Sequence, residues 1–535
     1  MRSCNRREFL RTIAQAGIYY SAPSLAGATD FADTVTVSII HTTDLHGRIL
    51  PTTDYNGNTD VGGLARCATQ IRRWRRQNRN SILIDAGDVY QGTDVSLRSN
   101  GELMIELFNH LKYDAWIVGN HEFDWGREIF SKAVARSAMP VLGANISVEG
   151  TAAGESSDAK HPIEKIQPYI LKELDGIKIA IVGVTTPGMT FWLPPEFTRG
   201  LDFQHPVEPV RRAIARAKSE GANAVVVAGH MGLKPRSGGD DFANSAMALT
   251  SEFPDLAAFI AGHTHQLVTS RLTNGVLLTQ ADHFGIHAGR VDLVFDRNSK
   301  RLLYRRSICE RMDHRVRFSH VVLSRANVLL NESQTALAEP IGELIETLHA
   351  REHPGRPSDV ERLIGAAVIE ALQDNGVTVD GVMHGPFDEK NDLAAGSKTV
   401  QDVWKLIPFE NYLVTAELNP EELKAIMEEV YASHEPRNLL GFEIETEPGD
   451  DRKIKSLRLT GIRELDRNRR YLIAFNSFDS RSGGHRFMKL RALLDSPVVN
   501  RQLHPIQTRD AVIEYFQRHK VVGKIVIATA LPVAA

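Results

Sequence analysis

The amino-acid sequence predicts an α/β domain followed by a smaller α+β domain, and three observations support this prediction. The chain has 535 residues, which is long enough for at least two domains. In the first two thirds, short apolar segments alternate with amphipathic segments, as is typical of an α/β domain with buried strands. Beyond about residue 312 this alternation gives way to a mixed order of helices and strands.

The apolar segments of the first domain have the length of strands. We predict strands at VTVSII (35–40), SILID (81–85), AWIV (115–118), IAIVGV (178–183), AVVVA (224–228) and AAFIA (257–261). Helices are predicted between several of them, at GLARCATQIRRWRRQ, NGELMIELFNHLK and VEPVRRAIARAKSEG. The apolar residues of these three segments recur at the three- and four-residue spacing of an amphipathic helix.

The second part of the chain begins with a long helix at VVLSRANVLLNESQTALAEPIGEL, which then breaks. GRPSDVERLIGAAVIEALQDNG is predicted to be a helix with a serine N-cap and a glycine at its end. A strand (YLVTAEL), a helix (NPEELKAIMEEVYA) and the strand-turn segments KIKSLRLTG and RRYLIAFNS follow. We therefore predict a first domain at 29–312, a linker helix region at 313–345 and a C-terminal domain at 346–535.

Residues 1–28 are predicted to be an export signal rather than part of the fold. Arg6 and Arg7 precede a Phe-Leu pair, and a weakly apolar stretch ends in the small residues at 26–28. This pattern indicates a twin-arginine signal, read by the twin-arginine export machinery, with cleavage after about Ala28. It predicts a periplasmic or otherwise exported protein of a bacterial cell envelope. The alternative is an ordinary basic amphipathic N-terminus.

Composition and charge narrow the range of partners. Net charge is -3 and 42% of the residues are hydrophobic, so neither a nucleic acid polymer nor an anionic membrane is expected as the main partner. No other segment approaches the roughly 18 apolar residues needed to span a bilayer. Of the three cysteines, Cys67 and Cys309 could pair after export, but they lie far apart in the sequence. The oligomeric state is left open.

Polar residues follow five of the predicted strands directly, at their carboxyl ends. In sheets of this type, ligands bind outside the carboxyl ends of the strands. A single Gly-His pair after a strand is more often a turn than a ligand. Five strand ends of the same character are difficult to obtain by chance. The residues concerned are Asp44, His46, Asp88, Asn120, His121, Asp124, His230, His263 and His265.

The residue types in this group indicate a metal centre. Carboxylate and amide oxygens combined with imidazole nitrogens suit borderline divalent ions such as Mn, Zn, Fe or Co. Thiolates are absent from the group, which disfavours a closed structural zinc site. Seven of these nine residues (two aspartates, one asparagine and four histidines) already exceed the needs of one tetrahedral ion, whereas two ions sharing a bridging carboxylate would use all seven. A pair of ions about 3.5–4 Å apart stabilises both oxygens in phosphoryl displacement.

The order of these motifs along the chain resembles that of metallophosphoesterases. The motifs are D-x-H, G-D, G-N-H-E-F-D, G-H and G-H-T-H. A closer resemblance is to the catalytic domain of the bacterial 5′-nucleotidase/UDP-sugar hydrolase family. The segments that carry it are HTTDLHGRILP, VGGLAR, DAGDVYQGT and GNHEFDWG. The resemblance covers essentially the whole mature chain. It implies a four-layer sandwich with two mixed sheets, followed by an α+β substrate-binding domain. It also implies a metal-dependent phosphoric ester hydrolase that acts on a nucleotide by attack of a metal-bridging hydroxide.

The same resemblance implies a role for each residue of the group. One ion would be bound by Asp44, His46 and His265, and the other by Asn120, His230 and His263, with Asp88 as the bridge. His121 would not be a ligand. It would donate to the developing phosphate charge or to the leaving oxygen, and Asp124 would hold its ring in orientation. Glu122, Phe123 and Trp125 are then expected to be structural.

The C-terminal domain departs from the family pattern where substrate is bound. The family carries an Asn-Gly-Gly-rich loop with an arginine, whereas this chain has GVMHGPFDEKNDLAAG (381–396) and no arginine there. The family's Gly-Gly-Asp-Gly is replaced by Gly-Gly-His-Arg at 483–486. The resemblance offers Phe442 and Phe478 as the two aromatic faces for a base. Arg437 and Arg481 are candidate phosphate contacts.

Two alternatives stay open from the sequence. The same metal core could act on a cyclic nucleotide, a sugar phosphate or a sulfur ester, as in the related thiosulfohydrolases, because the altered loop puts standard nucleotide recognition in doubt. A non-catalytic ligand-binding protein with a vestigial site is the alternative from another class. The presence of all seven ligands and His121 argues against it.

Overall fold

A computed structural model describes residues 33–148, 162–233, 244–351, 355–386, 390–433, 437–461, 464–483 and 486–524. The predicted export signal lies outside these residues, as do 387–389 of the altered loop and 484–485. The division of the chain at residues 28, 312 and 345 stays a prediction. Among the described residues, no helix is both long and apolar enough to cross a membrane.

The N-terminal domain is built on two six-stranded sheets. Its strands are β1 (Thr34–Thr42), β2 (Ser81–Asp85), β3 (Ala115–Ile117), β4 (Val141–Leu142), β5 (Ile146–Val148), β6 (Tyr169–Leu174), β7 (Ile177–Thr185), β8 (Leu201–Phe203), β9 (Ala224–His230), β10 (Ala258–Ala261), β11 (Leu267–Thr273), β12 (Val276–Ala281), β13 (His287–Asp296) and β14 (Leu302–Arg311). The first sheet has the order β14-β13-β1-β2-β3-β4, and the second has the order β11-β12-β10-β9-β7-β6. A small pair, β5 and β8, lies outside both sheets.

Both sheets are mixed. β1 pairs with β2 in parallel and with β13 in antiparallel orientation, and β2, β3 and β4 continue the parallel part. In the second sheet β7, β9, β10 and β12 are parallel, with β6 and β11 antiparallel at the edges. Because the parallel strands are covered on both faces, they are apolar along nearly their whole length. This explains why the six predicted strands are recognisable in the sequence.

The sheets face each other and helices cover their outer faces. Val37 and Ile39 of the first sheet share a buried core with Ile181 and Val226 of the second. The helices are α1 (Leu64–Gln77), α2 (Asp94–Arg98), α3 (Glu102–Leu111), α4 (Arg127–Arg136), α5 (Met189–Trp192), α6 (Pro195–Thr198), α7 (Val207–Ser219) and α8 (Ala246–Glu252). α1, α3 and α4 pack on the first sheet, and α7 and α8 pack on the second. The predicted four-layer α/β architecture is confirmed.

The long helix α9 (His320–Leu337) packs on the N-terminal domain and ends before Pro340. The C-terminal domain follows with helices α10 (Asp359–Asp374), α11 (Val400–Leu406), α12 (Pro420–Tyr431), α13 (Ser477–Ser480), α14 (Met488–Leu494) and α15 (Thr508–His519). As predicted, Ser358 caps α10: its side chain accepts from the Glu361 amide, and the Glu361 carboxylate accepts from the Ser358 amide.

The strands of the C-terminal domain are β15 (Pro340–Leu344), β16 (Gly381–Met383), β17 (Gly396–Thr399), β18 (Tyr412–Leu418), β19 (Leu439–Leu440), β20 (Phe442–Glu447), β21 (Asp450–Leu459), β22 (Tyr471–Asn476), β23 (Gln502–Gln507) and β24 (Val521–Val522). They form a five-stranded sheet of order β19-β16-β22-β18-β23, a three-stranded sheet of order β17-β15-β24, and the hairpin β20-β21. The predicted α+β arrangement of this domain is confirmed.

Polar and aromatic contacts join the two domains. Arg481 Nη2 donates to the Thr190 carbonyl at 2.8 Å, and Arg501 pairs with Glu196 at 3.1 Å. The guanidinium carbon of Arg491 lies 4.0 Å from the centroid of the Phe191 ring. The C-terminal domain therefore packs on α5 and α6 of the N-terminal domain. Cys67 and Cys309 are both free thiols in this structure.

Candidate metal centre

The strand ends of both sheets meet at one edge of the N-terminal domain. The first sheet contributes residues just beyond β1, β2 and β3, and the second contributes residues at the ends of β9 and β10. Five of the seven predicted ligands adopt the left-handed backbone conformation that disfavours side chains: Asp44 (φ 50°), His46 (φ 48°), Asp88 (φ 56°), His263 (φ 78°) and His265 (φ 50°). Such strain persists only where the surrounding structure enforces it, and it concentrates at functional sites.

The first group of potential ligands contains Asp44, His46 and His265, whose ligand atoms all lie within 4.8 Å of one another. The Nε2 atoms of His46 and His265 are 3.1 Å apart, and His265 Nε2 lies 3.5 Å from Asp44 Oδ1. Asp44 and His46 are fully buried, and His265 is partly exposed. The structure thus brings together the three residues that are predicted to hold one ion.

The second group lies beside the first and shares a carboxylate with it. Asp44, Asp88 and His230 also have ligand atoms within 4.8 Å of one another. Asn120 Oδ1 lies 3.1 Å from His230 Nε2 and 2.9 Å from His263 Nδ1. Asp88 Oδ2 is 3.1 Å from His230 Nε2 and 3.7 Å from His46 Nε2, so Asp88 stands between the groups. That position suits the predicted bridge.

Hydrogen bonds from the second ring nitrogen orient three of the imidazoles. His230 Nδ1 lies 2.8 Å from the Ala86 carbonyl, and His46 Nδ1 lies 3.1 Å from the Gln91 carbonyl. His265 Nδ1 is 2.8 Å from the Tyr55 hydroxyl. With Nδ1–H donated to a carbonyl, the Nε2 lone pairs of His46 and His230 point into the site. This is the usual arrangement around a metal-binding histidine.

The donor set fits divalent cations. His230 Nε2 faces two acceptor oxygens, Asn120 Oδ1 and Asp88 Oδ2, which favour positive charge at that point. Burial lowers the pKa of His230, but Asp88 and Asp44 outweigh it and raise that pKa to about 9. The carboxylates therefore create a buried field that attracts a cation or a proton. Buried oxygen and nitrogen donors of this kind suit Mn, Zn, Fe or Co.

Glu122 anchors the backbone that carries two of the predicted ligands. Its carboxylate accepts from the amides of Asp88 (3.0 Å), Val89 (2.7 Å) and Gly119 (2.6 Å). Burial and the neighbouring Asp88 raise the pKa of Glu122 to about 8. The side chain points into the loop and is fully buried. Its geometry is that of a structural residue, in agreement with the expectation from the sequence.

His121 lies beside the metal groups and pairs with Asp124. His121 Nδ1 is 2.7 Å from Asp124 Oδ2, and the His121 ring packs edge-on to His46 at 5.2 Å between centroids. Burial lowers the pKa of His121, but Asp124 and Asp88 outweigh it and raise that pKa to about 10. The His121 side chain is 27% exposed, so its ring remains accessible to solvent. This geometry suits a proton donor held by a carboxylate.

Sequence reasoning missed several residues that surround the centre. Phe409, from the C-terminal domain, stacks on His121 at 6.2 Å between centroids, and Trp192 stacks on His263 at 5.1 Å. Gln91 contacts both His46 and Glu410. Gln91 lies in the motif DAGDVYQGT, and Phe409 and Glu410 lie in a Pro-Phe-x-Asn turn. These two motifs could have pointed to Gln91, Phe409 and Glu410 as functional residues. A motif does not, however, reveal contacts between domains.

The four predicted substrate contacts of the C-terminal domain occupy different environments. Phe478 is 40% exposed, whereas Phe442 is 8% exposed and packs in the domain core against Tyr471. Arg437 Nε donates to Asp479 at 3.2 Å, and Arg481 Nη1 donates to Asp495. Burial favours a packing role for Phe442. Both arginines are buried and each has a carboxylate partner.

Two segments of the chain match models of known protein families. Residues 37–267 match the family model described as calcineurin-like phosphoesterase, and residues 340–492 match that of the 5′-nucleotidase C-terminal domain. A snake venom 5′-nucleotidase from Crotalus adamanteus is 26% identical over 74% of this chain and 70% of its own length. A 2′,3′-cyclic-nucleotide 2′-phosphodiesterase/3′-nucleotidase from Haemophilus influenzae is 27% identical over 50% of this chain and 42% of its own.

The overall fold is shared with solved structures. The crystal structure of a 5′-nucleotidase precursor from Thermus thermophilus superposes with a TM-score of 0.67 at 20% identity, covering 92% of this chain and 98% of that chain. Other curated relatives, from Bacillus subtilis, are much longer, and the chain spans 22% and 39% of their length. The chain belongs to the family of proteins that join a calcineurin-like phosphoesterase domain to a 5′-nucleotidase C-terminal domain.

Proposed function

We propose that this protein is a metal-dependent phosphoric ester hydrolase whose substrate is a nucleotide. One observation carries the proposal: seven oxygen and nitrogen donors converge in two adjoining groups, with His121 beside them and outside both. Two divalent ions bound there would supply Lewis-acid activation of water and neutralise phosphate charge. The names of the relatives point to the same class of substrate.

Seven of these residues would hold the metal ions, and His121 would supply a proton to the leaving group. Asp44, His46 and His265 would hold one ion, and Asn120, His230 and His263 the other, with Asp88 between them. His121 would carry a proton on Nε2 to the leaving oxygen, because its Nδ1 is already engaged by Asp124. Asp124 would fix the ring and stabilise its protonated form. Phe409 stacks on one face of the His121 ring.

The activity is best tested with metal-depleted protein. Mn, Zn, Fe and Co would be restored separately and hydrolysis measured on 5′-, 3′- and 2′,3′-cyclic nucleotides, sugar phosphates and an aryl phosphate. We expect hydrolysis to require a divalent ion and to be fastest on a nucleotide. Bound metal without turnover of any ester would instead support a binding protein.

A second candidate keeps the same metal centre and changes the ester. It is favoured by the C-terminal domain, where no arginine stands in residues 381–396 and Phe442 is buried. A cyclic nucleotide, a sugar phosphate or a sulfur ester would then be the substrate. Turnover of such an ester with no turnover of 5′-nucleotides would favour this candidate.

We also propose that the chain is exported, on the basis of Arg6, Arg7 and the small residues at 26–28. In a bacterial host, mature protein that begins near residue 29 should appear outside the cytoplasm. The expected result is retention in the cytoplasm when both arginines are changed to lysine. Export of that variant at the parent level would contradict a twin-arginine signal.

A further inference from the structure

A line of buried polar side chains runs from the C-terminal domain to His46. In order they are Arg509, Glu410, Gln91 and His46, each at most 8% exposed. Arg509 Nη1 donates to Glu410 Oε1 at 3.2 Å, and Gln91 Nε2 donates to Glu410 Oε2. Gln91 Oε1 lies 3.2 Å from His46 Nδ1. This line joins the two domains at the candidate metal centre.

The hydrogen-bonding partners of the Gln91 amide determine which of its two polar atoms faces His46. A primary amide has one acceptor oxygen and one donor nitrogen, and either could face His46 after a half-turn of the group. Glu410 only accepts, so it engages the amide nitrogen and leaves the oxygen facing His46. His46 must then carry its proton on Nδ1, which leaves the Nε2 lone pair for a metal ion. The reversed amide would favour the opposite tautomer.

Glu410 is itself held firmly within its own domain. Its partner Arg509 also donates from Nε to the Ile407 carbonyl at 2.9 Å, and the Arg509 guanidinium carbon lies 3.5 Å from the centroid of the Trp404 ring. The adjacent Phe409 stacks on His121. The turn that carries Phe409 and Glu410 therefore reaches both a predicted ligand and the predicted proton donor.

We propose that Gln91 and Glu410 are positioning residues that set the tautomer and orientation of His46. In this way the C-terminal domain contributes to metal binding by the N-terminal domain, in addition to any contact with substrate. The inference rests on the proposed metal centre. Because the Gln91 backbone carbonyl also accepts from His46 Nδ1 at 3.1 Å, the side chain shares the task and its loss is only partly damaging.

A reciprocal exchange of amide and carboxylate tests the proposal. Gln91→Glu places two carboxylates against each other in a buried site, which disfavours the charged pair and disturbs His46. Glu410→Gln replaces a carboxylate, which can only accept, by an amide whose nitrogen can also donate, so the orientation of the Gln91 amide is no longer fixed. When both substitutions are combined, the carboxylate at position 91 accepts from His46 and from the new amide at position 410, so the line is restored. The measurement is Mn²⁺ affinity of the metal-depleted protein by titration calorimetry, alongside hydrolysis of an aryl phosphate.

We expect Gln91→Glu to weaken Mn²⁺ binding by about 10-fold, the lower end of the usual effect at the partner of a metal ligand, because the Gln91 backbone carbonyl still accepts from His46. Glu410→Gln should weaken it less, and the double variant should recover most of the Gln91→Glu loss. Arg501→Ala is the matched control, because it removes a different contact between the domains and leaves this line intact. Its Mn²⁺ affinity should equal that of the parent.

The outcomes separate this proposal from the proposed function. A double variant no better than Gln91→Glu, with all proteins folded by circular dichroism, would overturn the positioning role. Equal weakening by Arg501→Ala would also overturn it, because domain packing in general would then be the cause. A parent that binds Mn²⁺ but hydrolyses no ester would overturn the proposed function alone. A parent that binds no divalent ion would overturn both.

Discussion

The two domains differ in how completely their predicted functional residues come together. In the N-terminal domain, all seven predicted ligands and the His121–Asp124 pair lie at one edge. In the C-terminal domain, Phe478 is exposed, Phe442 lies in the core and the two arginines pair with carboxylates. The lesson is that a residue attached directly to a strand end goes where the strand goes. Phe442 begins the separate hairpin β20-β21 and Phe478 lies in α13, so the edge of a single sheet does not bring these substrate candidates together.

The largest expected effect is at the carboxylate between the two ligand groups. Asp88→Ala should remove both metal ions and abolish hydrolysis, because Asp88 faces His46 and His230 at once. Metal content would be measured by mass spectrometry. Asp292→Ala is the control, since this aspartate is also buried but pairs with Arg306 away from the centre. Full metal occupancy in Asp88→Ala would disprove the bridging role. It would also weaken the conclusion that the functional residues come together more completely in the N-terminal domain than in the C-terminal domain.

The next effect separates catalysis from metal binding within the N-terminal domain. His121→Ala should lower turnover by about 10²–10⁴-fold while metal content is unchanged, because a general acid contributes about that much. Turnover and metal content would be measured on the same preparation. Asp124→Asn should lower turnover less, since the ring remains and only its partner is changed. Loss of metal from His121→Ala would show that this histidine is a ligand.

The smallest and most discriminating effect concerns the two phenylalanines of the C-terminal domain. Phe442→Ala should lower the free energy of unfolding by about 3–5 kcal/mol, as expected for a large buried side chain. Phe478→Ala should leave stability nearly unchanged and raise KM for a nucleotide. Thermal unfolding and steady-state kinetics measure the two effects. If Phe442→Ala raised KM with no loss of stability, the comparison between the domains would need revision.

Local sequence patterns account for most of what could be predicted. The six strands are recognisable because the parallel strands are apolar throughout, and the ligands are recognisable because they directly follow those strands. The burial of Phe442 could also be predicted in part. In FEIETE the apolar residues alternate with glutamates, and the structure buries Phe442 while exposing its neighbour Glu443. That alternation indicates an inward-facing Phe442, which conflicts with the base-stacking role that the family resemblance offers.

Contacts between distant segments could not be predicted in this way. The sequence pattern does not identify strands β11 to β14, although β12 and β13 extend the two sheets. The contact of Gln91 with Glu410 joins residues 319 positions apart in the sequence. It depends on how the second domain packs on the first, which no local spacing encodes. The contact of Phe409 with His121 has the same origin, whereas that of Trp192 with His263 joins distant segments within the N-terminal domain.

The left-handed backbone of five predicted ligands has a consequence for the stability of the fold. At such positions glycine is the residue with least strain, and any side chain costs of order 1 kcal/mol or more. The chain nevertheless carries aspartate or histidine at residues 44, 46, 88, 263 and 265. Selection for maximal stability alone would favour glycine at positions of this kind. At the edge that holds the candidate metal centre, this protein therefore retains potential metal ligands that lower its folding stability.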